Sequence, residues 1–252
     1  MFPNLVKVEM ILQTEAIVLK TFDFRETSRI AHFYTRRQGK VRGVMKGIRK
    51  DPRKFGSSVE RFSENDIVYY EYRRSDLHLI SQCDLKNFFF PIRQDLDKAL
   101  AAHYILDLVG AMMPPEEKNV QVYDLMLDFL NALERASDIH ALVHFFQIKL
   151  LLLSGFKPHL DTCVKCRRQV TAQARFSPGE GGLLCRDCRV YDPQIHPVSQ
   201  GAIASILHVE KNPWARCLRL KLTKRVREEL KYTLNTFLVY HLGRRLKSAR
   251  YV

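Results

Sequence analysis

Four cysteines set the tightest limit on how this chain can fold. They stand as Cys163-Val-Lys-Cys166 and Cys185-Arg-Asp-Cys188, with eighteen residues between the pairs. The surrounding segment, residues 158–197, is rich in Cys, Gly and Pro and poor in periodic apolar residues, so it cannot hold a core of its own and needs a cross-link. Two CxxC turns at this separation can aim four thiolates at one point, the donor set of a closed tetrahedral structural site. Zinc is the commonest occupant of that pattern; an iron–sulfur cluster, a redox pair or unligated reduced thiols would use the same residues. Four sulfurs leave no open position for a catalytic water. Lys165, Arg167, Arg168, Arg186 and Arg189 would offset the negative charge of a tetrathiolate centre. Cys83 and Cys217 stand alone and read as small core residues.

Outside this segment the chain divides by period. Five short stretches rich in Val, Ile, Tyr, Phe and Thr (Gln13–Lys20, Ser28–Thr35, Gly39–Lys46, Asp66–Tyr72 and Leu77–Leu85) are separated by turn residues such as Gln38-Gly39, Asp51-Pro52 and Ser75-Asp76. Five strands so spaced suit a small closed barrel. An OB-fold fits best, with its longest connection between strands three and four, and an SH3-like barrel is the alternative. After Pro91 the period becomes helical. Leu100, Tyr104, Leu108 and Ala111 mark one face, and Val122, Met126, Phe129, Leu130 and Leu133 the next, with Pro114-Pro115 between them. A third helix, Ile139 to Leu153, is apolar nearly all round, as a helix buried in a bundle should be, and Gly155 can terminate it. Val226, Leu230, Leu234, Phe237, Leu238 and His241 define a last amphipathic helix. The expected class is therefore α+β: an N-terminal OB barrel, then a helical domain with a four-cysteine zinc finger inserted in it.

Charge points to a partner. The 252 residues carry 41 Lys plus Arg against 27 Asp plus Glu, a net +14 that suits a polyanion such as nucleic acid or an acidic protein segment. Its distribution is uneven. Nine basic residues lie between 36 and 54 (Arg36, Arg37, Lys40, Arg42, Lys46, Arg49, Lys50, Arg53 and Lys54) against the single acid Asp51. A barrel face and loop lined in this way would track phosphates, with Phe33, Tyr34 and Phe55 as aromatics for base stacking, unless those rings belong to the core. Reversing Lys40, Arg42 and Lys46 together to Glu is expected to abolish DNA binding and leave the fold intact. The C-terminal set Arg244, Arg245, Lys247 and Arg250 would extend a DNA path, grip an acidic tail or solvate a helix end.

Several classes are disfavoured. Asp107 and Lys149 interrupt the best apolar runs, so no membrane helix is expected, and the N-terminus lacks the pattern of a signal peptide. A cytoplasmic protein follows, in which paired cysteines favour metal over disulfides. No phosphate loop, dinucleotide fingerprint, nucleophile elbow or HExxH helix occurs, and His103, His140, His144 and His159 are scattered, so no enzyme is expected.

Particular stretches carry a resemblance. Thr14-Glu-Ala-Ile-Val-Leu-Lys20, Arg25-Glu-Thr-Ser-Arg-Ile30 and Gly39-Lys-Val-Arg-Gly-Val-Met-Lys-Gly47 resemble the N-terminal barrel of the bacterial RecO family. The match resumes at Leu153-Ser-Gly-Phe-Lys-Pro-His-Leu-Asp161, at Phe176-Ser-Pro-Gly-Glu-Gly-Gly-Leu-Leu-Cys185 and at Tyr240-His-Leu-Gly-Arg-Arg-Leu-Lys-Ser248, collinear over nearly the whole chain. The four cysteines match the zinc-bearing branch of that family. The resemblance implies an OB-fold at 1–87, a helical domain at 88–157 and 198–252, and a zinc finger at 158–197. It also implies a non-enzymatic, nucleoid-associated mediator of DNA repair and recombination. Such proteins bind single- and double-stranded DNA, anneal complementary strands and, with RecR, help load RecA on DNA coated with single-strand-binding protein. The helical middle would then dock the acidic C-terminal tail of that protein. An RNA-binding or ribosome-associated zinc protein, or an adaptor for acidic proteins, would share the basic barrel and the cysteines.

Overall fold

A computed structural model describes residues 8–51, 55, 59–72, 75–170 and 173–251. They fall into two compact units, Met1–Glu134 and Arg135–Val252.

In the first unit, the strands β1 (Val8–Phe24), β2 (Ser28–Thr35), β3 (Gly39–Met45), β4 (Glu64–Tyr72) and β5 (His78–Asn87) close into a barrel in the order β1-β2-β3-β5-β4. All neighbours are antiparallel except β3 and β5, which pair in parallel. One long strand makes closure possible: β1 pairs with β4 from Ile11↔Tyr70 to Ile17↔Glu64 and with β2 from Ala16↔Thr35 to Phe24↔Ser28. This is the five-stranded OB arrangement, and the parallel β3–β5 pair is the feature that strand counting cannot supply. Alternation puts Ala16, Val18, Ala31, Phe33, Val41, Met45, Ile67 and Tyr69 inside, and a register shift in the β4–β5 ladder lets Ile80 and Cys83 of β5 join them.

The β1 ladder shifts register between Val18 and Lys20. The extra residue, Leu19, reverses the parity of the strand beyond it. Without the bulge Lys20 and Phe22 would share the inward phase of Ala16 and Val18. With it Lys20 keeps a side chain 40% exposed and Phe22 is 51% exposed.

The helices α1 (Phe90–Arg93), α2 (Leu96–Met112) and α3 (Val120–Leu133) complete this unit. Asp95 and Asn119 cap α2 and α3 by accepting from the backbone N–H groups of Lys98 and Val122. The α2–α3 connection is clasped to β3. Lys40 and Pro115 form a bridge, and the Glu116 N–H donates to the Lys40 carbonyl at 3.1 Å. Gly39 allows the approach, since a Cβ there would stand 2.1 Å from the Glu117 carbonyl oxygen. At the same corner Glu15 of β1 holds Arg36 at 2.9 Å and also accepts from Lys86 of β5.

Those two partners, Lys86 first and then Arg36, outweigh burial and hold the Glu15 carboxyl below its ordinary range. A carboxyl depressed on folding stabilises the fold fully above its unfolded pKa of about 4.3 and loses that contribution as pH falls through the folded value. Glu15→Gln is therefore expected to lower the thermal midpoint at neutral pH. The difference from the parent should vanish in strong acid, as read by thermal melts across a pH series.

The second unit contains α4 (Ile139–Leu153), α5 (Gln200–Lys211), α6 (Trp214–Cys217) and α7 (Lys224–Leu242), with a small sheet of β6 (Arg175–Ser177), β7 (Gly182–Leu184) and β8 (His196–Pro197) in the order β7-β6-β8. Helix α4 is buried on most of its circumference and stops at Gly155, as its sequence predicts, with the Phe156 N–H donating to the Leu151 carbonyl at 2.9 Å. The small sheet borrows a core from α7. Phe176 packs edge-on against Phe237 with centroids 5.5 Å apart, and His196 shares a 2.9 Å hydrogen bond with the Thr233 hydroxyl. Cys83 and Cys217 are both fully buried. Among the described residues no helix is long and apolar enough to cross a membrane.

Candidate functional site

The four cysteines come together. The sulfurs of Cys163, Cys166, Cys185 and Cys188 all lie within 4.8 Å of one another, and those of Cys166 and Cys185 are 3.7 Å apart. A tetrahedral site with metal–sulfur bonds of ~2.3 Å has sulfur–sulfur edges of ~3.8 Å, so the donor set fits a closed four-thiolate centre. None of the cysteines is in a disulfide.

Local structure explains the convergence. The first knuckle is tied by the Arg167 N–H donating to the Cys163 carbonyl and the Cys163 N–H to the Arg168 carbonyl, both at 2.9 Å, with Arg167 in the left-handed region at φ +63. The second is gathered by Arg175, whose guanidinium donates to the Cys185 carbonyl at 2.8 Å and the Cys188 carbonyl at 2.6 Å. The two are then set side by side. The Val164 N–H donates to the Leu183 carbonyl at 2.8 Å, and Gly182 lies where a Cβ would be 2.3 Å from the His159 carbonyl.

Protonation favours a cation here. Burial opposes the Cys163 thiolate, but the backbones of Cys166, Cys185 and Lys165 hold its pKa down to about 6. Donating its S–H to the Cys185 and Cys166 sulfurs pushes the Cys188 thiol the other way, to about 12. Four thiolates this close cannot all form unless a cation compensates them. Of the basic residues assigned that task from sequence, Lys165 pairs instead with Glu180 at 2.8 Å and Arg168 with Asp187 at 3.7 Å. Arg175, which sequence reading passed over, contributes through carbonyls rather than charge.

The basic residues of the barrel separate into three groups. Arg37, Arg42, Lys46, Arg49 and Lys50 are exposed. Arg42 faces Asp76, whereas Arg37, Lys46, Arg49 and Lys50 have no carboxylate partner among the described residues. Two others are committed to the fold. Arg36 bridges Glu15 and Asp124, and the half-buried ammonium of Lys40 donates to the Gly110 carbonyl at 2.9 Å. Burial, then the charge of Lys20, lowers the Lys40 pKa. Arg53 and Lys54 lie outside the described residues.

The aromatics proposed for stacking need correction. Phe33 and Tyr34 are fully buried and Phe55 is 2% exposed. Phe33 points inward, Phe55 plugs the barrel core, and Tyr34 is covered where its hydroxyl donates to the Asn119 carbonyl at 3.4 Å. The outer face carries different residues. Lys20, His32 and Arg42 are cross-strand partners on β1, β2 and β3, and Phe22 meets His32 edge-on with centroids 5.4 Å apart. Arg25, exposed in the β1–β2 turn, joins the Lys46–Lys50 turn through its carbonyl, which accepts from Arg49 at 3.4 Å. Neither Phe22 nor Arg25 was among the candidates from sequence.

Fold and site together define a class: an OB barrel with a basic outer face, followed by helices that carry a four-cysteine cluster able to hold a metal ion. Comparison with known proteins narrows it. Residues 10–89 match the family model described as Recombination protein O N terminal, and residues 93–250 match Recombination protein O C terminal. The DNA repair protein RecO of Syntrophus aciditrophicus is 31% identical over 94% of this chain and 93% of its own length. The RecO proteins of Moorella thermoacetica and Anaeromyxobacter dehalogenans are 29% and 30% identical over 96% and 94% of the chain, covering 90% and 93% of their own lengths. The chain belongs to the RecO family of DNA repair proteins.

Proposed function

We propose that this chain is a non-enzymatic recombination mediator that binds single- and double-stranded DNA along the outer face of β1, β2 and β3. One observation carries the reading: Arg37, Lys46, Arg49 and Lys50 project from this face or its ends without a carboxylate partner among the described residues. Like charges so placed favour an anion. From Arg42 to Lys46, four steps at ~3.3 Å each make a basic track of ~13 Å, the length of about two nucleotides. Neutralising phosphates on two strands lowers the repulsion that slows pairing, so annealing follows from the same surface.

Family membership supports the remaining roles: cooperation with RecR, docking of the single-strand-binding protein tail, RecA loading as the downstream result, and action in the cytoplasm at the nucleoid. In the metal centre the occupant we propose is zinc, held by Cys163, Cys166, Cys185 and Cys188 as a structural cross-link with no part in chemistry. We also propose the division into 1–87, 88–157 with 198–252, and 158–197. The break between the two family matches, at 89 and 93, supports its first boundary.

The test is a titration of fluorescent single-stranded DNA at several salt concentrations, with complementary strand added to score annealing and RNA of equal length as competitor. Salt-sensitive binding and faster annealing, not displaced preferentially by RNA, are expected. Absence of binding at low salt would overturn the reading, and preferential displacement by RNA would move the protein to another class.

A further inference from the structure

The outer face of the barrel holds a cavity of about 520 Å³ lined by Lys20, Phe22, His32, Lys40, Val41 and Arg42, among others, with Asp76 and Glu116 at its side. Its composition is layered. Phe22 and His32 supply two rings, and Lys20 and Arg42 stand on either side of His32 in one cross-strand row. Burial, then the charges of Arg42, Lys20 and Lys40, holds the His32 imidazole below its usual range, so at neutral pH it is an uncharged ring. The cations beside it are exchangeable. Lys20 lies 3.6 Å from Asp107, and the Asp76 opposite Arg42 is 72% exposed. The Arg42–Asp76 pair, this open to water, holds weakly and gives way to a phosphate, and Lys20, 40% exposed beside an Asp107 that Arg61 also holds, can turn to one. Lys40, bonded to the Gly110 carbonyl, is the wall of the cavity rather than a ligand.

We propose that this cavity receives one unstacked nucleotide of a single DNA strand, its base against Phe22 and His32 and its phosphate between Lys20 and Arg42. The proposal rests on the DNA-binding reading above and deepens it. A duplex keeps its bases stacked and paired and offers this cavity only phosphates, so the site distinguishes single strands from double. Phe22 has the exposure a stacking platform needs, which no other ring on the β1–β2–β3 face has among the described residues.

The experiment compares Phe22→Ala with the parent on three probes: a short oligothymidylate, a strand of equal length made of abasic sites, and a duplex. Because Phe22 is half exposed the variant is expected to fold, which circular dichroism checks. Phe22→Ala should weaken oligothymidylate binding about tenfold, in the range for loss of one base–aromatic stack. Affinity for the abasic strand and the duplex should be unchanged, and Phe22→Tyr should restore the parent affinity. If Phe22→Ala binds oligothymidylate as well as the parent, or the parent does not prefer it to the abasic strand, the nucleotide site is overturned while DNA binding stands. If the parent binds none of the probes, the DNA-binding reading itself falls.

Discussion

Cys163→Ser is expected to release the bound metal and unfold residues 158–197. The segment has little apolar content of its own, and the sheet that organises it has strands of three, three and two residues. The knuckles are held by a few backbone hydrogen bonds and by Arg175, whose acceptors are carbonyls positioned by the cysteines themselves. Binding free energies of structural zinc sites are of the order of 10 kcal/mol, and in a segment without a core most of that is folding free energy. Hydrogen exchange should show protection lost at Arg167, whose N–H bonds within the first knuckle, and at Val164 and Leu183, whose N–H groups tie residues 159–164 to β7, and retained in the barrel ladder from β1 to β5. Chelation of the parent protein should give the same pattern. Protection unchanged in both cases, together with metal analysis showing no bound ion, would refute the metal centre.

Replacing Arg42, Lys46, Arg49 and Lys50 together by Glu is expected to weaken single-strand binding at least a hundredfold at low salt and to leave the thermal midpoint close to that of the parent. All four side chains are exposed, so their loss removes phosphate contacts rather than packing. Each lost contact lowers the slope of log affinity against log salt by about 0.7 for single strands, close to 3 for the four. The result against the proposal would be an unchanged slope. Lys40→Glu is expected to behave differently. It would set a carboxylate against the Gly110 carbonyl in a half-buried position and cost about 2 kcal/mol of stability, seen as a lower denaturant midpoint. A triple reversal that includes Lys40 therefore confounds DNA binding with folding, contrary to the expectation from sequence that such a variant would stay intact.

The difference between Lys40 and Lys46 shows where sequence reading stops. Both lie in one basic run, and composition cannot tell a solvated cation from one bonded to a carbonyl seventy residues away. The same holds for Arg36, whose partners Glu15 and Asp124 come from a strand and a helix remote in sequence. The aromatics fail for a related reason. Phe33 belongs to the inward phase of β2, which alternation alone would have indicated, but Tyr34 is on the outer phase and is buried only because the α2–α3 region covers it.

What the sequence determined by itself is the part governed by local chemistry and short periods. The cysteine spacing specified the ligand set, alternation located five strands to within a few residues, and helical period with a terminal glycine placed α4 and its end. The tertiary structure alone decided which residues lie on the outer face of the barrel. One extra residue in β1, Leu19, turns Lys20 and Phe22 from the core to the surface, and pairing across β1, β2 and β3 aligns Lys20, His32 and Arg42 into a row. A bulge is a property of two paired strands and not of either one, because it exists only as a mismatch between their hydrogen-bond ladders.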